Sequence, residues 1–204
     1  WSSDVCSSDL QGFTITKTVV GSVAAVSGTE NEFDVTYKIE ASNSTNSSVT
    51  YSITDALGLD SDVSVVGTPT VTASTNVTKS LTSGFTGVSG NTEIIKDEVI
   101  NAASSGVATV ESYNVKVRFR INGASQAKNS CTGATGNGLF NSVTASFGNN
   151  TTSSNACADT PKFEPIKFAM SVIWEGGRQG AKVKIPSVTF GVNDTGDFEA
   201  ENTA

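Results

Sequence analysis

Residues 112–122 alternate without a break: Tyr113, Val115, Val117, Phe119 and Ile121 are apolar, and Asn114, Lys116, Arg118, Arg120 and Asn122 between them are polar. Successive side chains of a strand point to opposite faces, so this stretch predicts a half-buried β-strand with one apolar and one charged face. Phe33, Val35, Tyr37, Ile39 and Ala41 repeat the pattern, and the two runs are expected to share one core. Val49, Tyr51 and Ile53 make a third alternating strand, ending at Asp55 and Gly58. A first strand is expected over FTITKTVV, led by Phe13, Ile15 and Val19 and closed by Gly21. A last one runs from Leu139 to Phe147, with Leu139, Asn141, Val143, Ala145 and Phe147 on one face. Short strands fall at residues 63–66 and 70–72, divided by Gly67 and Pro69. Between Asn76 and Asn91, Leu81, Phe85 and Val88 are spaced as a hairpin of weak strands, whereas residues 94–103 read equally as a helical turn or as a strand ending at Asn101. Clusters of Ser, Thr, Asn and Gly at residues 27–31, 42–48 and 104–106 supply the turns.

Short strands with turn signals roughly every ten residues predict an all-β, antiparallel β-sandwich over residues 11–160. Nothing supplies the crossover helices of a parallel sheet. Past Cys157 the texture changes. Asp159-Thr160-Pro161 reads as a boundary, Ile166, Phe168, Met170, Val172 and Trp174 alternate, and Gly176-Gly177 turns the chain into a strand that ends at Pro186. Two or three strands cannot bury enough surface to stand alone, so residues 161–204 are read as an incomplete second β module. Residues 1–10 carry no period; DVCSSDL within them resembles the translation of a sequencing-library adaptor, the other reading being a flexible tail. They are set aside from the fold, Cys6 included.

Composition narrows the function. Hydrophobic residues make up 37% and charged residues 16%, the balance being mostly Ser, Thr, Asn and Gly, which suits short strands rather than helical bundles. A net charge of −7 and a pI near 4.5 repel phosphate backbones, so nucleic acid is not an expected partner. No apolar run approaches the ~18 residues of a membrane-spanning helix, and no membrane insertion is expected of this segment. The absence of histidine removes His-based triads and His zinc sites. With no other nucleophile constellation, no enzyme activity, cofactor or metal is expected.

The segments FTITKTVVGS, EFDVTYKIEASNS, VTYSITDALG and GLFNSVTAS, in that order, resemble a repeat of unknown function found in bacterial surface proteins. Its marks are a Lys-Thr in the first strand, an alternating Tyr strand ending in Asn, an Asp-x-Leu after the next strand, and a late Asn-bearing strand. The family's Asn-Thr-Gly turn is replaced here by Asn43 and STNSS, and the proline after Asp-x-Leu is missing. The tail SVIWEGGRQGAKVKIPSVTF is similar to the opening of a prealbumin-like B-type repeat of collagen-binding surface proteins. These resemblances imply an Ig-like, adhesin-type module, extracellular and at the cell surface, serving as a spacer in a stalk. Its partners would be neighbouring repeats of the same chain, with an extracellular glycan or protein as a further ligand. The rival class is a carbohydrate-binding or accessory domain of a secreted enzyme. That class needs an exposed aromatic platform, and aromatics are 7% of the chain, mostly at inward positions.

Four constellations are candidates for chemistry. Cys131 and Cys157 bracket the last strand and are expected in loops; a disulfide between them would stabilise by roughly 3–4 kcal/mol on the chain-entropy model. The alternatives are two free thiols, unfavourable in an oxidising compartment, or a metal site, for which the ligand set is lacking. Lys116, Arg118 and Arg120 form a row that would bind an anionic glycan, or else pair across strands with the polar face bearing Asp34, Lys38 and Glu40. Asp55, Asp60 and Asp62, and Asn193, Asp194 and Asp197, are calcium ligands by type but lack EF-hand spacing, and turn formation accounts for them. Finally, surface modules of the kind this chain resembles can join a strand-one lysine to a late-strand asparagine with help from a protonated carboxyl. The corresponding residues are Lys17, Asn141 and Asp55. Such chemistry needs a desolvated, neutral lysine, whereas a solvated surface lysine is the commoner state. The Asn-x-Ser/Thr sequons at Asn43, Asn46, Asn76, Asn149, Asn150 and Asn193 are a chance product of a chain rich in Ser and Thr.

Overall fold

The computed structural model describes residues 12–29, 31–88, 90–122, 130–160, 188–192 and 198–202, the last two stretches by their backbone. Eleven strands and no helix occur among them: β1 Phe13–Ala25, β2 Glu32–Asn43, β3 Val49–Leu57, β4 Val63–Val65, β5 Thr70–Ala73, β6 Glu93–Ile100, β7 Thr109–Ile121, β8 Leu139–Phe147, β9 Asn150–Ala158, β10 Val188–Val192 and β11 Phe198–Asn202. The chain divides into two compact units, Trp1–Pro161 and Lys162–Ala204. The second contributes an antiparallel β10–β11 hairpin. The run from Ile166 to Trp174, the Gly-Gly turn and the strand ending at Pro186 lie outside the described residues, as do residues 1–10.

The first unit is an antiparallel sandwich. One sheet runs β1-β2-β7, with β4 and β5 both pairing the far edge of β7; the other runs β6-β3-β8-β9. The two strictly alternating runs are direct neighbours: Phe33 faces Phe119, Val35 faces Val117, Tyr37 faces Val115 and Ile39 faces Tyr113. All eight side chains are buried. Seven of them, all but Phe33, meet Tyr51, Ile53, Val143, Ala145 and Phe147 from the opposite sheet in one apolar cluster. Burying a side chain of this size contributes about 1.5–3 kcal/mol, so the alternation itself selects this pairing over a one-residue slip.

Three sequence expectations are corrected, and the open choice at residues 94–103 falls to the strand. Gly21 does not close the first strand: it takes φ +71° inside a bulge between Val20 and Ala24, after which pairing with β2 resumes. Residues 94–100 form strand β6 rather than a helical turn. Asp97, at φ +52°, bulges that strand opposite Ser52, and a second irregularity between Ile53 and Thr54 puts Ile94 and Ile95 side by side in the core, so the alternation is scrambled. Residues 76–88 form no hairpin; they cross the sandwich as a loop that drops Phe85 into the core. The late strand is not the last. Gly148, at φ +53°, and Asn149 make a two-residue turn into β9, which pairs with β8 from Asn150 to Ala158. Cys157 therefore lies in a strand and not in a loop.

Candidate functional site

In β1 the inward positions are Phe13, Ile15 and Lys17, a lysine in a slot the pattern reserves for an apolar residue. In β3 they are Tyr51, Ile53 and Asp55, and in β8 Leu139, Asn141, Val143, Ala145 and Phe147. Asp55 is paired with Val143 and Leu57 with Asn141, so the carboxyl and the carboxamide are diagonal neighbours on one sheet. Lys17 reaches them from the opposite sheet. The three residues that the sequence proposed for a cross-link are thus in one contact, inside the core.

The Lys17 ammonium touches Asp55 Oδ1, and both side chains have no solvent exposure. Asp55 Oδ2 accepts from Asn141 Nδ2 at 3.0 Å. One carboxyl therefore spans the amine and the amide nitrogen. Asn141 Oδ1 is buried without a hydrogen-bond partner, a condition that costs about 1–3 kcal/mol and marks a site of strain or function. Lys17 also lies over the Tyr37 ring, 5.3 Å from its centre, and the Tyr37 hydroxyl donates to the Leu139 carbonyl at 2.7 Å. Tyr37 thus touches the amine and holds the strand that carries the amide. Sequence reasoning assigned it only to the core.

Burial drives both charged groups toward their neutral forms. Desolvation pulls Lys17 from 10.5 down to about 8, against the attraction of Asp55. It pushes Asp55 above the usual carboxylate range, against Lys17 and the hydrogen bond from Asn141. A proton passing from ammonium to carboxylate leaves a neutral amine beside a protonated acid and a carboxamide, with no change in the charge of the pair. Those are the reactants for amide exchange. The solvated lysine, the commoner state in general, is not the state here.

A second buried polar cluster escaped the sequence reading. Tyr51 donates to Glu111 Oε2 at 2.5 Å and lies 2.5 Å from the Tyr113 hydroxyl. Glu98 accepts from the Thr78 backbone N–H at 3.1 Å, the Thr78 hydroxyl at 2.8 Å and the Lys79 N–H at 2.6 Å. These bonds hold Glu98 below the usual carboxylate range in spite of desolvation, whereas burial pushes Glu111 up. The readable signal was again a charged residue in an inward slot, Glu111 beside Tyr113.

The remaining candidates divide. Cys131 and Cys157 are joined as a disulfide. The basic row is paired: Asp34 binds Arg118 through two bonds of 2.8 and 3.2 Å and Lys116 at 2.9 Å, and Glu32 binds Arg120 at 2.6 Å. Lys38 and Glu40 pair with each other. Asp34 faces Arg118, and Glu32 faces Arg120, directly across the β2–β7 ladder, the geometry in which opposite charges compensate. Asp55 is separated in role from Asp60, whose carboxylate accepts from the Asp62 N–H at 3.1 Å in its own turn. The described residues bring no three ligating side chains together. The Asn193–Asp197 cluster lies outside them. No described helix is long and apolar enough to cross a membrane.

No family model matches the chain, and no curated protein does. Among solved structures it is similar to BcpA, the major pilin subunit of Bacillus cereus, at 14% identity with a TM-score of 0.31, over 72% of this chain and 40% of that one. It is also similar to the CooA pilin subunit from enterotoxigenic Escherichia coli, at 12% identity with a TM-score of 0.27, over 72% of this chain and 99% of that one. The chain spans 40% of the length of the Bacillus subunit.

Proposed function

We propose that the chain is a structural module of an extracellular bacterial surface protein, a spacer or adhesive repeat whose sandwich is stapled by an amide bond between Lys17 and Asn141. The observation that carries this reading is the solvent-free contact of Lys17, Asp55 and Asn141 across the two sheets. In the neutral pair, Lys17 Nζ attacks Asn141 Cγ. Rotation of the carboxamide places Oδ1 against the protonated Asp55, which polarises the carbonyl. Asp55 then takes a proton from the attacking nitrogen and delivers one to Nδ2; the Nζ–Cγ bond forms, the Cγ–Nδ2 bond breaks, and ammonia leaves. The event happens once per chain, so it is self-modification rather than enzyme turnover.

Joining residues 17 and 141 closes a loop of about 120 residues, which on the chain-entropy model stabilises by about 5 kcal/mol. It also ties the first strand of the sandwich to its penultimate one. Tension applied to the ends of the unit then runs through the bond, and the strands between are not pulled. A spacer in a surface stalk, joined to neighbouring modules, needs that property. The disulfide fits the same oxidising compartment. Against the carbohydrate-binding alternative, every aromatic side chain described, from Phe13 to Phe147, is buried, so sugars find no stacking platform among the described residues of the sandwich.

The test is the intact mass of the folded chain, with peptide mapping. Loss of one ammonia, and a peptide in which Lys17 is joined to Asn141, is expected in the native sequence and absent from Lys17→Ala and Asn141→Ala. A full-mass native chain after prolonged incubation near neutral pH would overturn the reading.

A further inference from the structure

The Cys131–Cys157 disulfide and Asn141 meet at one end of β8. We infer that the disulfide decides when the Lys17–Asn141 bond forms: until the two thiols are oxidised, the start of β8 is not held and Asn141 is not seated against Asp55. The inference rests on the Lys17–Asn141 reading above.

Asn141 is the last residue of β8 to pair with β3; the register runs from Ser52 and Ser146 to Leu57 and Asn141 and stops. Toward the strand's start, Leu139 and Phe140 continue the ladder against β9, opposite Ala158 and Cys157. Gly58 N–H adds one bond to the Phe140 carbonyl, at 3.0 Å. Strand β9 is NTTSSNACA, with little apolar surface to anchor it. Ladder ends open with free energies far below that of the whole fold, so the acceptor residue sits where fraying begins.

Besides the burial of Leu139 and Phe140 and a bond from the Gly136 N–H to the Gly58 carbonyl at 2.8 Å, two ties oppose that fraying. One is the Tyr37 hydroxyl on the Leu139 carbonyl. The other is the disulfide, which fastens Cys157, opposite Phe140, to the loop that leads into β8. The fit is close: a Cβ added to Gly138 would come within 2.8 Å of both sulfurs and 2.9 Å of the Ala158 carbonyl oxygen. Cys131 is fixed in turn by its N–H, which donates to Asp159 at 2.7 Å. Asp55 lies within its strand and depends on neither tie; the Lys17 N–H donates to Ser154 of β9 at 3.0 Å, but its own strand is fixed by continuous pairing with β2 from Phe13 to Val20. Reduction therefore loosens the electrophile and leaves the nucleophile in place. Misplacing one reactant by about 1 Å can slow a preorganised reaction by ~100-fold.

The order of events is then fixed by chemistry. A small-molecule or enzyme disulfide, of which oxidised glutathione is the simplest, exchanges with the two thiols; the protein loses two hydrogens and the oxidant is released as two thiols. Asn141 is seated, and ammonia loss follows. In a reducing compartment the chain stays uncross-linked and can still be extended. In an oxidising one it becomes permanently closed.

The full chain carrying Cys6→Ser, so that only the pair in question can oxidise, is made by cell-free synthesis in dithiothreitol or in a glutathione redox buffer. Intact mass is followed with time, with Lys17→Ala as the blank. Loss of ammonia is expected to be at least roughly tenfold faster in the oxidised chain than in the reduced chain or in Cys131→Ser/Cys157→Ser. Equal rates would overturn the inference and leave the cross-link standing; no loss of ammonia in the oxidised chain would overturn both. Because the reduced forms need not fold fully, hydrogen exchange is compared in Lys17→Ala, oxidised against reduced. Amides at residues 139–141 are expected to lose protection on reduction while those of β2 and β7 keep it. Unchanged protection at 139–141, or loss throughout the sandwich, would overturn a local clamp.

Discussion

The sandwich holds two buried polar clusters, and they differ in what their members can do to one another. Around Tyr51, the groups are hydroxyls and carboxyls, and Glu98 is met by two backbone N–H groups and a hydroxyl. Such a network has no nucleophile facing an electrophile; its work is to pin the 74–80 loop to the sheet. Around Asp55, an amine and a carboxamide share one carboxyl, and the amide oxygen is left without a donor. The first cluster is satisfied as it stands, whereas the second, on the reading proposed above, holds the reactants of an amide bond. Burial alone therefore does not mark a reactive site; the pairing of an attacking group with a leaving group, and an orphaned atom beside them, does.

The largest effect is expected from Asp55→Ala. It removes the proton carrier, so ammonia loss should cease, and with it go the ~5 kcal/mol of loop closure. An unpartnered amine in the core lowers stability further, by about 3–5 kcal/mol in comparable buried pairs. Intact mass and the denaturant midpoint report the two losses separately. Glu98→Ala breaks three hydrogen bonds to a carboxylate and should lower stability by about 3 kcal/mol while ammonia loss continues. If Glu98→Ala also abolished the mass change, the two clusters would not be independent.

The clusters should also separate by pH. In Asn141→Ala, which cannot cross-link, Lys17 is protonated less readily in the folded chain than in the unfolded one, about 8 against 10.5. Below about 8 the penalty for burying the charge is fully present. Between these values the unfolded chain holds more protons, so stability rises with pH. Glu98 behaves oppositely: its folded value lies below 4.5, so its contribution is present above 4.5 and is lost as pH falls through the folded value. Urea midpoints from pH 3 to about 10, below which the buried tyrosines stay neutral in both states, are expected to show an alkaline rise that Lys17→Met removes and an acid fall that Glu98→Gln reduces. The smallest effect belongs to Arg118→Ala in the exposed ladder, where Lys116 still covers Asp34. Ammonia loss should be unchanged, and the thermal midpoint should move least of all these variants.

How far the sequence anticipated this depends on whether burial preserves the two-residue period. It does in β2, β7 and β8, where the apolar slots were readable by eye. The site was named by the resemblance, and the period agrees with it only in hindsight: Lys17, Asp55 and Asn141 each occupy a slot that neighbours such as Ile15, Ile53 and Val143 define as inward. Their mutual distance was not readable, since it depends on which strands of opposite sheets come face to face. Strand β6 was ambiguous because two bulges interrupt it, one at Asp97 and one at Ile94, and the second puts Ile94 and Ile95 together on the core side. Strand β9 was missed because an edge facing water needs no apolar alternation; Gly148-Asn149 was its only signal. The 74–92 loop was misread as strands because Phe85 is a plug, an isolated apolar residue that fills the core without any period. Glu98 could not be placed before that loop was.

The two flanks of the sandwich are also closed by different means. On one flank β1 lies beside β9, where the Lys17 N–H donates to Ser154, and the lysine side chain reaches the far sheet. On the other, β6 and the short β4 and β5 are spanned by the 74–92 loop, which is held by hydrogen bonds to Glu98 and by Phe85 seated in the core. The module resembles a book bound along one spine and kept shut on the opposite side by a clasp. Its first opening would swing about the bound side and expose Ile94, Ile95 and Phe85, while Phe13 and Ile15 stay covered. A protease or an invading strand would find its entrance at the clasp.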